Sequence, residues 1–152
     1  MISMFKRFID GHRGNVVIEM ALISPILVFM GLGAFDFGMA YSVQTSYEAA
    51  VRAGFEYAFT SSDLTEIAAR VTANLDATSL EANYPAVTKV CECAGNPGVA
   101  LGSCSTTCSG TITTPYEYIN IKVRGKHALA FDWPFVSGSN IYLEQEGRVR
   151  VK

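Results

Sequence analysis

Hydrophobic and polar residues follow three different periods along this chain. Residues 16–35, VVIEMALISPILVFMGLGAF, form a nearly unbroken apolar run whose only charge is Glu19. At 1.5 Å rise per residue, a helix of this length covers ~30 Å, the thickness of a bilayer's hydrocarbon core. A soluble core helix usually carries a polar stripe, and here polar residues almost vanish between Glu19 and Asp36. A secretory signal would show a shorter apolar run and a small-residue cleavage site. The exit side instead reads Ala34-Phe35-Asp36-Phe37-Gly38. The run is therefore read as a retained membrane span, bent or weakened at Pro25, where a backbone donor is missing.

The helical period continues past Asp36. Small residues recur every fourth position at Ala34, Gly38, Ser42, Ser46, Ala50, Gly54 and Ala58. Such spacing lets helix backbones approach closely, although the stripe drifts by ~40° per step on a helix of 3.6 residues per turn. The helix is expected to end near Thr60. Asp63 and Glu66 stand at capping-box spacing, and Leu64, Ile67, Ala68, Val71 and Leu75 place an amphipathic helix over 64–75. Residues 82–85 read as a connector. Three β-rich runs follow at 87–93, 116–128 and 141–151. In the second, Tyr118, Asn120, Lys122, Arg124 and Lys126 alternate with Ile119, Ile121 and Val123, giving one buried face. The expected fold class is α+β: a long N-terminal helix, a short second helix and an antiparallel sheet of three or four strands.

Composition narrows the function classes. The 152 residues are 49% hydrophobic and 17% charged, against about 25% charged in typical globular proteins, which excludes a disordered chain. The net charge of −2 argues against nucleic acid as a partner. The charge is uneven: residues 1–14 carry +2 (Lys6, Arg7 and Arg13 against Asp10), leaving −4 for the rest. Basic residues before the span, with only Arg52 close after it, predict a cytoplasmic N-terminus and an outward C-terminal domain. Glu19 within a span is a functional candidate by its cost in lipid. The plainer reading is a carboxylate near the membrane edge that snorkels to water.

Arg13-Gly14-Asn15-Val16-Val17-Ile18-Glu19 resembles the class III signal of type IV pilin-like proteins, a basic leader ending in Gly before an apolar helix with Glu at its fifth position. The resemblance implies that a prepilin peptidase cuts between Gly14 and Asn15, and that Glu19 pairs with the N-terminal amine of a neighbouring subunit. Gly33-Ala34-Phe35-Asp36-Phe37-Gly38-Met39-Ala40-Tyr41 and Ala49-Ala50-Val51-Arg52-Ala53-Gly54 extend it, and look like the TadE-like proteins of tight-adherence (Tad, Flp-type) pilus systems. Met20 departs from the Tyr that related pilins often carry there. The resemblance implies a pilin-like fold with residues 1–14 as cytoplasmic leader, 15–60 as spanning and extended helix, and 61–152 as a periplasmic domain. It further implies a bacterial inner-membrane minor pilin or assembly component, with the membrane, a prepilin peptidase and other pilin-like or Tad subunits as partners. Helix packing along the small-residue stripe would supply oligomerisation. A membrane-tethered binding or adhesion module outside any filament is the alternative.

Cys91, Cys93, Cys104 and Cys108 all fall on the outward side. An even number in an oxidising compartment reads as disulfides. The nested pairing, Cys91–Cys108 with Cys93–Cys104, is preferred, and the crossed pairing stays open. A zinc site is the sharper reading, but C-x-C with C-x₃-C departs from the usual ligand spacing. His127 reads as a surface residue, and Glu144 and Glu146 as a solvated strand face. No phosphate loop, nucleophile elbow or metalloprotease motif is present, so neither enzymatic activity nor a cofactor is expected. Phe131-Asp132-Trp133-Pro134-Phe135 reads equally as a contact patch or as a cap on the sheet's core.

Overall fold

The structure is a computed structural model that describes residues 12–76, 79–110, 113–134, 136 and 138–152, with side chains described from Val16 onward. Its elements in chain order are α1 (His12–Ala58), α2 (Leu64–Thr72), β1 (Ala86–Glu92), β2 (Tyr116–Ala128) and β3 (Asn140–Arg150). The fold is α+β. The chain forms two compact units, dividing between Met39 and Ala40. That division falls inside α1, whose second half shares its core with the sheet.

In the unit Ala40–Lys152, the strands lie in the order β1-β2-β3, antiparallel throughout. Alternation in β2 works as expected: Ile119, Ile121 and Val123 are fully buried and meet Tyr47, Ala50, Val51 and Ala58 of α1 and Ile67 and Val71 of α2 in one core. Three glycines set how closely α1 can lie, among them Gly125, where a Cβ would overlap the Tyr47 hydroxyl. A Cβ at Gly54 would sit 2.6 Å from Val71 Cγ2 and 2.8 Å from Ile121 Cδ1, and one at Gly147 would sit 2.7 Å from the Phe55 ring. Residues 79–81 continue the β1 edge alongside β2, with Lys126 N–H donating to Ser79 O at 2.8 Å and Glu81 N–H to Arg124 O at 3.1 Å. This is an isolated bridge on the β1 edge, and the sheet itself has three strands. The connector expected at 82–85 contains Asn83 at φ 72° and a cis Tyr84–Pro85 bond.

The capping box forms only in part. Asp63 Oδ1 accepts from Thr65 N–H at 2.8 Å, as an N-cap should. Glu66 does not reach back to the cap. Its Oε2 accepts instead from Tyr57 Oη at 2.8 Å and Ser61 Oγ at 3.1 Å, because the end of α1 lies nearby and offers hydroxyl donors. The second helix also stops earlier than its apolar spacing suggests: Leu75 N–H donates to Thr72 O in a turn.

Candidate functional site

From Val16 to Met30, α1 displays its apolar side chains: Val17 is 68% exposed, Leu22 69% and Phe29 64%. An open apolar surface of that extent is untenable in water. The most apolar stretch of α1 has none of its residues buried, and α1 is long and apolar enough to cross a membrane. Pro25 does not interrupt it. Glu19 is exposed within this apolar surface. Gly14 and Asn15 lie inside the first turns of α1, since the helix begins at His12. The leader residues 1–11, with Lys6, Arg7 and Asp10, lie outside the described residues.

The small-residue stripe has two destinations. Ala34, Gly38, Ser42 and Ser46 are exposed, and a Cβ at Gly38 would meet nothing within 4 Å. Ser46 Oγ donates to the Ser42 backbone O at 3.0 Å, which occupies the Ser46 hydroxyl along the helix. Ala50, Gly54 and Ala58 are buried in the core of their own unit. The drift explains the change: four steps of ~40° turn the stripe by ~160° between Ala34 and Ala50, onto nearly the opposite face. Asp36, in the same stretch, is 2% exposed, a buried carboxylate that apolar periodicity gives no reason to single out.

The cysteines form two bridges, and the nested pairing is incorrect. Cys91 pairs with Cys104 and Cys93 with Cys108, with Cα–Cα distances of 5.2 and 5.6 Å. The chain returns antiparallel to the end of β1, with Ala100 opposite Glu92 and Leu101 N–H donating to Cys91 O at 2.8 Å. That direction carries the chain past Cys93 first and brings Cys104 to the Cys91 side. Residues 105–108 then turn back to Cys93. A tight return of this kind depends on backbone pairing, which cysteine spacing alone does not encode.

Glu92, between the two cysteines, is 5% exposed. Its Oε2 accepts from Gly98 N–H at 3.0 Å, and its Oε1 lies 2.6 Å from Arg148 Nη2 on β3. The Gly98 N–H, followed by the Arg148 guanidinium, holds this carboxyl below its ordinary value. Arg148 in turn lies 3.8 Å over the Tyr118 ring, so the ion pair spans the sheet above β2. Nothing in the strand pattern distinguishes Glu92 from a solvated charge. Only its place between two cysteines hints that it would be enclosed.

The rest of the outer sheet face is ion-paired. Lys122 Nζ lies 2.8 Å from Glu144 Oε1 and 3.6 Å from Glu146 Oε2, so these two carboxylates serve one lysine and not an acid–base couple. The lysine lowers the Glu144 carboxyl, and the carboxylate raises Lys122. A hollow beside Ser79, Leu80, Ala82 and Lys126 holds Glu81, which already pairs with Arg124 and Lys126. His127 is half-buried in β2. Among the described residues, no group of three or more His, Cys, Asp or Glu is placed to hold a metal ion.

Residues 14–55 match the family model described as TadE-like protein. The matched segment starts at Gly14, contains Glu19 and the stripe as far as Gly54, and stops before α2, the sheet and the cysteines. No curated protein and no solved structure matches the chain.

Proposed function

We propose that this protein is a single-pass, pilin-like minor subunit or assembly component of a Tad-type pilus, with no catalytic activity of its own. The observation that supports this reading best is the place of the TadE-like match. It falls on the helix whose apolar half is exposed, and it begins at the glycine that would end a leader. The leader faces the cytoplasm, residues 16–35 cross the inner membrane, and the disulfide-bonded unit lies in the periplasm.

A prepilin peptidase cuts after Gly14. The helical first turn must open for this, and glycine makes that opening easier, being about 1 kcal/mol less favourable in a helix than alanine. Cleavage leaves a positive amine at Asn15, about one helical turn from Glu19. A neighbour's amine then neutralises Glu19 as the helices leave lipid for a bundle. An unpaired carboxylate is costly there, so the pair favours association and sets register.

Two measurements test the reading. Mass spectrometry of the membrane fraction is expected to find a chain that starts at Asn15. Glu19→Gln is expected to keep insertion and cleavage but to reduce crosslinking between subunits and the number of pili. An intact Met1 start in cells with active peptidase would leave a plain anchor, and would favour a tethered binding module.

A further inference from the structure

The crossed cysteine pairing is held by parts of the chain that come after all four cysteines. Cys91 lies in β1 and Cys93 directly follows it. That strand is held extended by residues 116–122 of β2, with Cys91 opposite Glu117 and Glu92 opposite Tyr116. Glu92 is clamped from the far edge of the sheet by Arg148 of β3. On an extended β1, the Leu101 N–H to Cys91 O bond and the Glu92–Ala100 bridge then align the returning chain. Along the sequence the cysteines come first, the strand that organises them second, and the clamping arginine last.

Before β2 and β3 are in place, loop closure decides which cysteines meet, and its cost rises with loop length. Cys91 and Cys93 are two residues apart and Cys104 and Cys108 four apart, whereas the bridges of the folded unit span 13 and 15 residues. Consecutive pairing is therefore reached first. Chain entropy also gives no choice between nested and crossed pairings, because each closes two loops of comparable length. Residues 94–115 carry no charged side chain, so the segment itself does not steer one cysteine toward another.

We propose that this chain is a substrate of a thiol–disulfide isomerase, which converts a first-formed Cys91–Cys93, Cys104–Cys108 isomer into the crossed one. The proposal rests on reading residues 16–35 as a span with the disulfide-bonded unit on its periplasmic side. Residues beyond the span then cross in chain order, and the cysteines meet a disulfide-carrying thiol oxidase before Tyr116 and Arg148 arrive. Each consecutive bond forms as two cysteine thiols are oxidised and the disulfide of that oxidase is reduced to a dithiol. The isomerase thiolate attacks Cys104 Sγ and releases the Cys108 thiolate. That thiolate attacks Cys93 Sγ, which makes the Cys93–Cys108 bridge and releases the Cys91 thiolate. Cys91 attacks Cys104 Sγ in the mixed disulfide, which makes the Cys91–Cys104 bridge and returns the isomerase thiolate. Two disulfides enter and two leave, so rearrangement consumes no oxidant. Pairing of β1 with β2 steers the second attack, because the folded unit sets Cys108 beside Cys93. Cys91 and Cys108 end 1% and 5% exposed, so each finished bridge has one cysteine shielded from further exchange.

The full-length protein is made in bacterial cells that contain the thiol oxidase, with or without a periplasmic disulfide isomerase. Free thiols are blocked with N-ethylmaleimide at harvest, and the unreduced chain is cleaved after Glu92 and Leu101. Cys91, Cys93 and the Cys104–Cys108 stretch then fall on three fragments. Crossed pairing joins all three, whereas consecutive pairing leaves the third free with an internal bridge. The free third fragment is expected to pass from minor to major species when the isomerase is absent. A pulse-chase in isomerase-containing cells is expected to show the free fragment first and the joined ones later, which guards against degradation of the mispaired chain. A Cys91→Ser, Cys104→Ser variant has one possible pair, Cys93–Cys108, and is expected to form it equally in both strains. Joined fragments in both strains and at the earliest chase time would overturn the proposal, as would an equal loss of bridging in the one-pair variant without isomerase. If all four thiols take up N-ethylmaleimide in both strains, the periplasmic reading and the proposal fall together.

Discussion

As far as Ser46, the four-residue stripe of small residues on α1 lies on an open surface; from Ala50 onward the same spacing is buried against α2 and β2. The two regions share a helix, a spacing and a set of residue types. What differs is the azimuth the stripe has reached and whether the chain supplies its own partner there. In the later region Val71 and Ile121 already occupy the space that glycine leaves. In the earlier region a Cβ at Gly38 would meet nothing within 4 Å. A small-xxx-small pattern therefore marks a place where backbones can come close, without saying whose backbone it is.

The strongest way to break this comparison is to fill both surfaces equally. Gly54→Leu forces a side chain into Val71 and Ile121, and is expected to destabilise the unit Ala40–Lys152 by ~3 kcal/mol or more. Denaturant titration followed by the near-ultraviolet signal of Trp133 measures that loss. A Gly54→Leu protein of wild-type stability would mean that α1 does not pack there.

Opening one bridge should cost slightly less. The pair Cys93→Ser and Cys108→Ser releases a crosslink with a sequence separation of 15, and a loop of that size is worth about 2–3 kcal/mol. The same titration detects it. Unlike Gly54→Leu, this change leaves the α1 contacts in place and is expected to loosen residues 94–107 first, as limited proteolysis would show.

Acid separates the two regions by charge. Glu92, Glu117 and Glu144 have carboxyls held below their ordinary value of 4.5: Glu92 by Gly98 N–H and Arg148, Glu117 by Lys89, and Glu144 by Lys122. Their folded state binds protons less readily than the unfolded chain. The stabilisation is thus complete above about pH 4.5 and is lost as pH falls through the lowered native values. The melting temperature of the sheet-bearing unit is expected to hold steady from neutral pH to about 5 and to decline below that. Helicity of the apolar segment in detergent is expected to change little over the same range.

The smallest expected effect is Gly38→Leu. Nothing lies within 4 Å of a Cβ there, so stability of the sheet-bearing unit should stay within about 0.5 kcal/mol of wild type. Crosslinking between subunits in membranes should nevertheless decrease if another helix approaches this surface. Equal crosslinking in wild type and Gly38→Leu would show that the open part of the stripe faces only lipid.

The sequence made some of these features legible because one physical cause dominates each. The bounds of β2, Tyr116–Ala128, coincide with the run read from alternation, since a half-buried strand repeats every two residues. The long helix was equally plain from its apolar period. Where two causes compete, the pattern alone is insufficient. Glu66 sits at the right distance for a capping box, but Tyr57 and Ser61 offer it other donors. Ala50 and Ala34 look alike in the stripe, and only the helical drift set against a sheet that α1 must cover tells them apart. The cysteine pairing follows from the backbone rung at Glu92 and Ala100, which no residue type announces.

The crossed bridges also determine how tension would travel through the chain. A pull from β1 toward β2 passes along Cys91, Glu92 and Cys93 and crosses at once to Cys108, with a second covalent route through Cys104. Residues 94–103 lie on neither route and so bear no load. The segment from Cys91 to Cys93 carries the load through Glu92, which is clamped from both sides by Gly98 and Arg148. The slack between the two strands is therefore set by the bridges and not by the length of the loop.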